Sequence, residues 1–353
     1  MRFTPRQPIV PTRKEYDVVI SQNFGRPIDG YRARTQPNGG SELHTVLVAE
    51  GLAGAGLHVA VIQPGAHTVR WGHVDYYSAQ DVIDRGIWLI STDWLISQRF
   101  GNLPANVEFK RLAVEMHDLP DERVYQVTPA MAKVPGCKTI FHSNFNAELY
   151  NDFPGKVVIP AIIEDSLYEL PALDRDSNRR DRVFVYGSAA LKGLRETLEL
   201  WGAMKRDKAC EYMMRKAKLI VTSPGYDSPD FDSLRKVPGV EYQQQQTLGD
   251  MQKLLQRSDG IFMVNTLVET YGCIQTQCEV AGRYAWVFCP NGPGALKETL
   301  ANPETVHTDI NSFVRAVTAQ KWPKPKPAKD VRASKVALQW LDALELKPKE
   351  MAA

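Results

Sequence analysis

Apolar residues in this chain fall into short runs, and the stretches between them carry helical spacing. The runs "YDVVIS" (16–21), "HVAVIQ" (58–63), "GIWLIST" (86–92), "RLAVEMH" (111–117), "KTIFHS" (138–143) and "KVVIP" (156–160) read as strands. A long polar loop, 22–38, follows the first of them. The next segment, "GGSELHTVLVAEGLAGAG" (39–56), repeats leucine at helical intervals and reads as a helix. The polar stretch "LDRDSNRRD" (173–181) breaks the series and reads as a domain boundary. The alternation then restarts, with strands at 182–187, 217–223, 239–243, 260–265 and 284–290. Helices are expected around 192–206 and 247–257 and within "VETYGCIQTQCEVAG" (268–282). Strands separated by helix-length segments imply parallel βαβ units. The expected fold class is α/β, with two doubly wound domains, 1–172 and 173–320, facing a central cleft. The segment 321–353 is expected to be a Pro/Lys strap and a final helix that packs back toward the N-terminal domain. Ligands of such sheets bind at the carboxyl ends of the strands, beside helix N-termini.

Composition narrows the classes of partner. The chain has 353 residues, 43% hydrophobic and 24% charged, with a formal net charge of +2. That balance carries no footprint for nucleic acid. Residues 1–176 hold 17 Lys/Arg against 21 Asp/Glu, while 177–353 hold 26 against 20, so the C-terminal half better suits an anionic ligand. Part of that excess is the Lys-rich tail. No apolar run reaches the length of a membrane span, which leaves peripheral membrane contact open. The polar, Pro-broken start "MRFTPRQPIVPTRKEYD" does not read as a signal peptide. The scattered Cys137, Cys210, Cys273, Cys278 and Cys289 read as reduced thiols of a cytoplasmic protein. Cys273 and Cys278 lack metal-ligand spacing and read as packing, and no metal site is expected.

Several short motifs stand where a cleft would lie. "GLAGAG" (51–56) ends a helix and precedes a strand, the reverse of a dinucleotide loop, so it reads as a helix cap and close turn. "PNGGSE" (37–42) has the right order for a binding turn: Gly39 and Gly40 would let backbone N–H groups approach a phosphate or sugar. The plainer reading is a turn capped by Ser41. "VEMHDLP" (113–119) ends a strand with His117 and Asp118, which could bind a substrate hydroxyl or be satisfied by nearby backbone. In "VYGSAALKGLRETLELW" (185–201), Gly187 and Ser188 form a strand exit, and Lys192 and Gly193 open a helix where an ammonium and free N–H groups could meet a diphosphate. The alternative for Lys192 and Arg195 is an exposed helical face. Glu269 and Thr270 precede a helix starting at Gly272, whose Ile274, Cys278 and Ala281 should face the core. Gln277 lies one position from that face, and Glu279 lies on the other side with Gln275 and Thr276. "DSPDFD" (227–232) reads as a polar loop, not a metal motif.

Taken in order, "GGSELHTVLVAEGLAGAGLHVAV", "SNFNAELY", "VVIPAII", "YGSAALKGLRETLELW", "TLGDMQKLLQRSDGIFMVN" and "ETYGCIQTQCEVAG" resemble the retaining GT-B glycosyltransferases of the group 1, or family 4, type. The resemblance runs from about Asp17 to Pro293. It implies two Rossmann-like domains, a nucleoside diphosphate sugar donor (UDP, GDP or ADP type left open) held by the C-terminal one, an acceptor held by the N-terminal one, and no required cofactor or metal. The family's Glu, seven residues, Glu motif maps to Glu269 and Gln277. Glu269 would touch the transferred sugar, and the ribose position carries a neutral glutamine. Many relatives place an arginine where this chain has Ser188, so Lys192, helped by Arg195, would hold the diphosphate. His117 matches the family's histidine near the reacting sugar.

The expected function is transfer of a sugar to a hydroxyl of a glycan, glycoconjugate or other acceptor, with retention at the anomeric carbon. Glu269, His117, Asp118 and Lys192 would act on the reacting groups. Gly39, Gly40, Gly187, Ser188, Arg195, Thr270, Tyr271, Gly272 and Gln277 would complete the binding surface. Two other readings share this fold: a sugar-nucleotide epimerase, and a protein that binds a nucleotide sugar without turning it over.

Overall fold

Two sheets organise the molecule. In the computed structural model the described residues are 12–349 except 23–24, 66, 100–102, 121–133, 154, 172–180, 224–226, 228, 231–233, 235, 320–321 and 323–325. The expected boundary at 172/173 and nearly all of "LDRDSNRRD" lie outside them. The first half contains β1 (Thr12–Ser21), β2 (Val59–Gln63), β3 (Val69–Trp71), β4 (Val74–Ser78), β5 (Trp88–Gln98), β6 (Val107–Met116), β7 (Lys138–Phe141) and β8 (Lys156–Val158). Its helices are α1 (Gly30–Thr35), α2 (Gly40–Gly54) and α3 (Asn144–Glu148). The second half contains β9 (Val183–Tyr186), β10 (Lys218–Val221), β11 (Val240–Tyr242), β12 (Gly260–Val264), β13 (Tyr284–Phe288) and β14 (Val306–His307). Its helices are α4 (Leu194–Arg206), α5 (Glu211–Met214), α6 (Leu248–Arg257), α7 (Cys273–Val280), α8 (Leu296–Thr299) and α9 (Ile310–Thr318), and α10 (Ala333–Ala343) follows.

The first sheet runs β3-β4-β2-β1-β5-β6-β7-β8, and the second β11-β10-β9-β12-β13-β14. Every pairing is parallel except the β3–β4 hairpin. The strand order reverses at β1/β5 in one sheet and at β9/β12 in the other, and a ligand crevice opens outside strand ends at such a point. Central strands covered on both faces read as continuous apolar runs; β2 ("VAVIQ") and β12 ("GIFMV") are buried at all five positions.

The polar loop expected at 22–38 contains the one-turn-and-a-half helix α1, whose first turn is capped by the Asp29 carboxylate. The strand expected at 86–92 starts two residues later and runs on to Gln98, because "DWLISQ" continues the buried pattern. The β3–β4 hairpin and the two-residue β14 carry too little periodicity to be read from sequence. α2 is buried along most of its length because it is covered twice: by its own sheet and by α10, which crosses it at Gly51 beside Ala333 and Ala337. The run "GLAGAG" closes α2, as its order along the chain implies.

One hydrophobic cluster runs through the inner layers of both halves, and each half has its own outer cluster. Polar contacts also tie the halves together at the cleft. Ser143 Oγ donates to Thr270 O at 2.6 Å, and Thr270 Oγ1 donates to His117 O at 2.6 Å. Glu298 of the second half accepts the N–H groups of Asn144 and Phe145 at 2.7 and 3.0 Å, which caps α3 from across the cleft.

Candidate active site

Between the halves lies a cleft of ≈ 760 Å³, within the range of small-molecule sites. On the C-terminal side, Gly187 and Ser188 leave β9 and line it. The chain then makes a single 3-10 turn, Ala190–Lys192, and α4 starts only at Leu194. Gly193 joins the two with φ 113, and a side chain there would sit 2.2 Å from Val264 O. Only glycine makes that turn without strain. The turn aims Lys192 into the cleft, where Nζ meets both oxygens of Glu269 at 2.9 and 3.0 Å. Asn265 Nδ2 adds a third hydrogen bond to Glu269, at 3.2 Å. Lys192 and Glu269 are therefore a joined pair, where the sequence suggested two separate contacts. Arg195 is placed elsewhere: it is exposed on α4 and does not line the cleft. Asp227 of "DSPDFD" accepts the Ala190 N–H, so it serves the strand exit; part of that motif lies outside the described residues.

Thr270, Tyr271 and Gly272 line the cleft ahead of α7. Gly272 caps α7 with φ 88, and no acid stands in the first turn. Gln277 faces the cleft, as expected, but so does Ile274, which was expected in the core. Cys278 and Ala281 are buried as expected, but the polar side of α7 is buried as well. Glu279 accepts the N–H groups of Ala301 and Asn302 at 2.7 and 2.9 Å and Asn302 Nδ2 at 2.8 Å. Burial lifts its carboxyl above the usual range. Glu279 anchors a turn and stands away from Gln277. Cys273 lines the cleft, but burial pushes its thiol up to about 11, so it stays protonated and is a poor nucleophile at neutral pH.

On the N-terminal side, Gly39 caps α2 and Gly40 begins it; Ser41 is not the cap, and its hydroxyl donates to Glu42 at 3.2 Å. Glu42 is buried in the first turn and lines the cleft. His117 and Asp118 leave β6 into the cleft. Asp118 Oδ2 lies 3.1 Å from Nε of Arg99, a cleft residue that the sequence reading missed because it ended β5 six residues short. Arg99 has φ 58, an uncommon conformation for a residue with a side chain, and such strain clusters at functional sites.

Behind His117 lies a buried polar cluster. Glu115 Oε1 accepts from His44 Nε2 at 2.7 Å, and Oε2 accepts from Gln98 Nε2 at 3.0 Å. His117 Nε2 and His142 Nε2 each stand 3.4 Å from a Glu115 oxygen. Burial pushes the Glu115 carboxyl up, but His44 and His117 outweigh it and hold it well below the usual range. Burial lowers His117 despite the adjacent carboxylate, and it holds His142 well below the imidazole range. Burial thus favours the neutral rings of His117 and His142 beside the Glu115 carboxylate. One signal for the cluster was present in the sequence: Glu115 and His117 are two apart on a strand and share a face.

Three of these groups, His44, Glu115 and His142, bring possible metal-ligand atoms within 4.8 Å of one another. His44 does not suit the role. Its Nδ1 accepts the Ile162 N–H at 3.2 Å, so the neutral ring keeps its proton on Nε2, the nitrogen facing Glu115. A ligating histidine needs the opposite arrangement, with its second nitrogen donating.

No protein-family model and no curated protein sequence matches the chain. Solved structures do. AviGT4, a glycosyltransferase involved in avilamycin A biosynthesis, is 14% identical with a TM-score of 0.62, covering 94% of this chain and 97% of that one. An E. coli structure described as trehalose-6-phosphate bound with UDP-2-fluoro glucose is 11% identical, with a TM-score of 0.57 and coverage of 96% and 100%. Anabaena HepE, in complex with UDP and glucose, is 11% identical, with a TM-score of 0.53 and coverage of 94% and 99%. At these identities the likeness is one of fold: this chain has the GT-B fold, two Rossmann-like halves about a cleft. Among the described residues no helix is long and apolar enough to cross a membrane.

Proposed function

We propose that the protein is a glycosyltransferase that moves a sugar from a nucleoside diphosphate sugar to an acceptor hydroxyl, with retention at the anomeric carbon. One observation carries this reading. The Lys192–Glu269 pair and the acid-free N-terminus of α7 face His117 and Asp118 across one cleft, and Thr270 is bonded to the His117 carbonyl. The UDP and UDP-sugar complexes of the structural neighbours support it by analogy of fold.

The diphosphate would lie at Gly187, Ser188 and the start of α7, where free N–H groups and Lys192 oppose the charge that grows as the sugar departs. Diphosphate binding would draw Lys192 from Glu269 and free that carboxylate for the sugar hydroxyls. Gln277 would bond the ribose diol through its amide. The acceptor would enter from the side of His117, Asp118 and Arg99. A cytoplasmic site of action is part of the same proposal, which leaves peripheral membrane contact open. Incubation with UDP-, GDP- and ADP-glucose tests it: release of the nucleoside diphosphate, by hydrolysis or transfer, is expected for one of them. Binding with no turnover of any donor would instead favour the non-catalytic reading, for which the closed Lys192–Glu269 pair and the neutral Gln277 speak.

A further inference from the structure

We propose that Glu115 is a positioning residue that fixes the tautomer of His117, so that His117 presents a lone pair on Nδ1 to the cleft and accepts a hydrogen bond from a hydroxyl of the bound ligand. A proton count around one buried carboxylate leads to it. Glu115 is 2% exposed, and an ionised carboxylate taken out of water needs donors. His44 supplies one, since its Nδ1 is occupied by the Ile162 N–H and its proton must sit on Nε2. Gln98 supplies a second through Nε2 at 3.0 Å. His142 supplies none while neutral, because its Nδ1 proton goes to Ile159 O at 2.9 Å.

His117 is the remaining donor. Its Nε2 is sealed from solvent and stands 3.4 Å from Oε2 with no formed hydrogen bond, and it has no partner among the described residues. The bare His142 Nε2 already stands 3.4 Å from Oε1, so His117 is the one ring at that distance whose Nε2 can turn a proton toward the carboxylate; a second lone pair there would add to the repulsion in a low-dielectric site. The proton on Nε2 leaves Nδ1 bare. That nitrogen makes no bond among the described residues and belongs to a side chain that lines the cleft. The ligand group it selects is a donor, a hydroxyl, and not the oxygen of a phosphate. The identity of that hydroxyl, on a sugar, rests on the glycosyltransferase reading; the tautomer does not.

Long-range proton–nitrogen NMR of the full chain labelled with 15N-histidine tests the assignment without any substrate. The expected spectrum shows His44 and His117 protonated at Nε2 and His142 at Nδ1, with His117 assigned by its loss in His117→Gln. Glu115→Gln replaces one acceptor oxygen by an NH2 group, and the expected result is a shift of His117 toward protonation at Nδ1. His117 protonated at Nδ1 in the wild-type chain, a doubly protonated His117 at pH 7, or a stoichiometric transition metal on the purified protein would each overturn the proposal. The wild-type spectrum decides even where Glu115→Gln does not fold. If one of the three glucose donors turns over, Glu115→Gln is expected to lower kcat by roughly 100-fold through misplacement of His117, with KM for that donor within about threefold. Loss of turnover with an unchanged His117 tautomer would also count against the assignment, whereas a correct tautomer in a chain that turns over no donor would leave it standing and remove the glycosyltransferase reading.

Discussion

Two helices begin at the cleft from opposite sides, and their first turns differ. α2 and α7 are each capped by glycine, Gly39 and Gly272, and they nearly meet: a Cβ on Gly40 would lie 3.4 Å from Cys273 Sγ. Both present free N–H groups, the ordinary basis for anion binding. α2 carries its own carboxylate, the buried Glu42, in that first turn, and α7 carries none. An acid at a helix N-terminus already offsets the positive end of the dipole. The same backbone feature therefore serves different chemistry on the two sides. The α7 side, with Lys192, suits a diphosphate; the α2 side, backed by neutral imidazoles, suits hydroxyl groups. A glycine pair before a helix says only that N–H groups are accessible. The charge already placed there decides what can use them.

The strongest way to break this comparison is to remove either member of the pair on the α7 side. Lys192→Ala and Glu269→Ala are each expected to lower transfer by about 10²- to 10³-fold, the usual scale for losing one group that meets developing charge. Binding separates the two roles. Lys192→Ala should weaken UDP binding by about tenfold, as loss of a charge-assisted bond does. Glu269→Ala, which frees Lys192 from its partner, should leave UDP binding unchanged or tighter. Calorimetric titration with UDP and initial-rate assays check both, with circular dichroism confirming the fold. Full activity in both variants would remove the assignment of the donor side.

The glycines give a second contrast, in stability. At Gly272 an added Cβ would lie 2.3 Å from Leu296 Cδ2, on a backbone with φ 88. Gly272→Ala is expected to cost about 1–3 kcal/mol, the range for a side chain held in the left-handed region. At Gly40 the added carbon meets only ordinary contacts, at 3.4 and 3.5 Å, on a helical backbone. Gly40→Ala should stay within about 1 kcal/mol of the wild type, on the stabilising side, since alanine suits a helix better than glycine. Urea denaturation of the two variants in parallel tests this; equal losses would contradict it.

This contrast also marks what was legible in the chain. The order of strands and helices, the two halves and the cleft-facing turns at Gly39, Gly187 and Glu269 follow from local periodicity, because parallel strands covered on both faces must be apolar runs. The pairing of Lys192 with Glu269, 77 positions apart, could not follow. It depends on a 3-10 turn at 190–192 that replaces the first helical turn. Arg99 was hidden by a strand that continues through Asp93. The histidine cluster gathers side chains from α2, β6 and the end of β7, and no window of sequence contains all of them. Ile274 was misjudged because α7 also buries the Glu279 carboxylate, which finds partners at Ala301 and Asn302; a helix face is apolar by default only where no such partners exist.

Gln277 offers a smaller test on the α7 side. It faces the cleft and is neutral, so a ribose diol there gains hydrogen bonds without charge assistance. Gln277→Glu should tighten UDP binding by roughly fivefold, about 1 kcal/mol, the difference between a charged and a neutral acceptor. Binding of inorganic pyrophosphate, which has no ribose, should not improve. A gain for both ligands, or for neither, would place the ribose elsewhere.

The smallest expected effect lies on the α2 side and bears most directly on the difference between the two helices. If Glu42 is what keeps anions from the start of α2, Glu42→Gln should give that N-terminus back its positive end. A helix-end charge is worth about 0.3–1 kcal/mol, so pyrophosphate binding is expected to rise by roughly two- to fivefold. Lys192→Ala and Glu42→Gln together then distinguish two arrangements. With separate anion and hydroxyl sides, the double variant binds pyrophosphate weakly, but at a new place that no longer depends on Lys192. If the diphosphate instead bridges both helix ends in the wild-type protein, Glu42→Gln raises affinity only when Lys192 is present. A double-mutant cycle reads the coupling as a single number: near zero for two independent sides, and well above about 0.5 kcal/mol for one shared site.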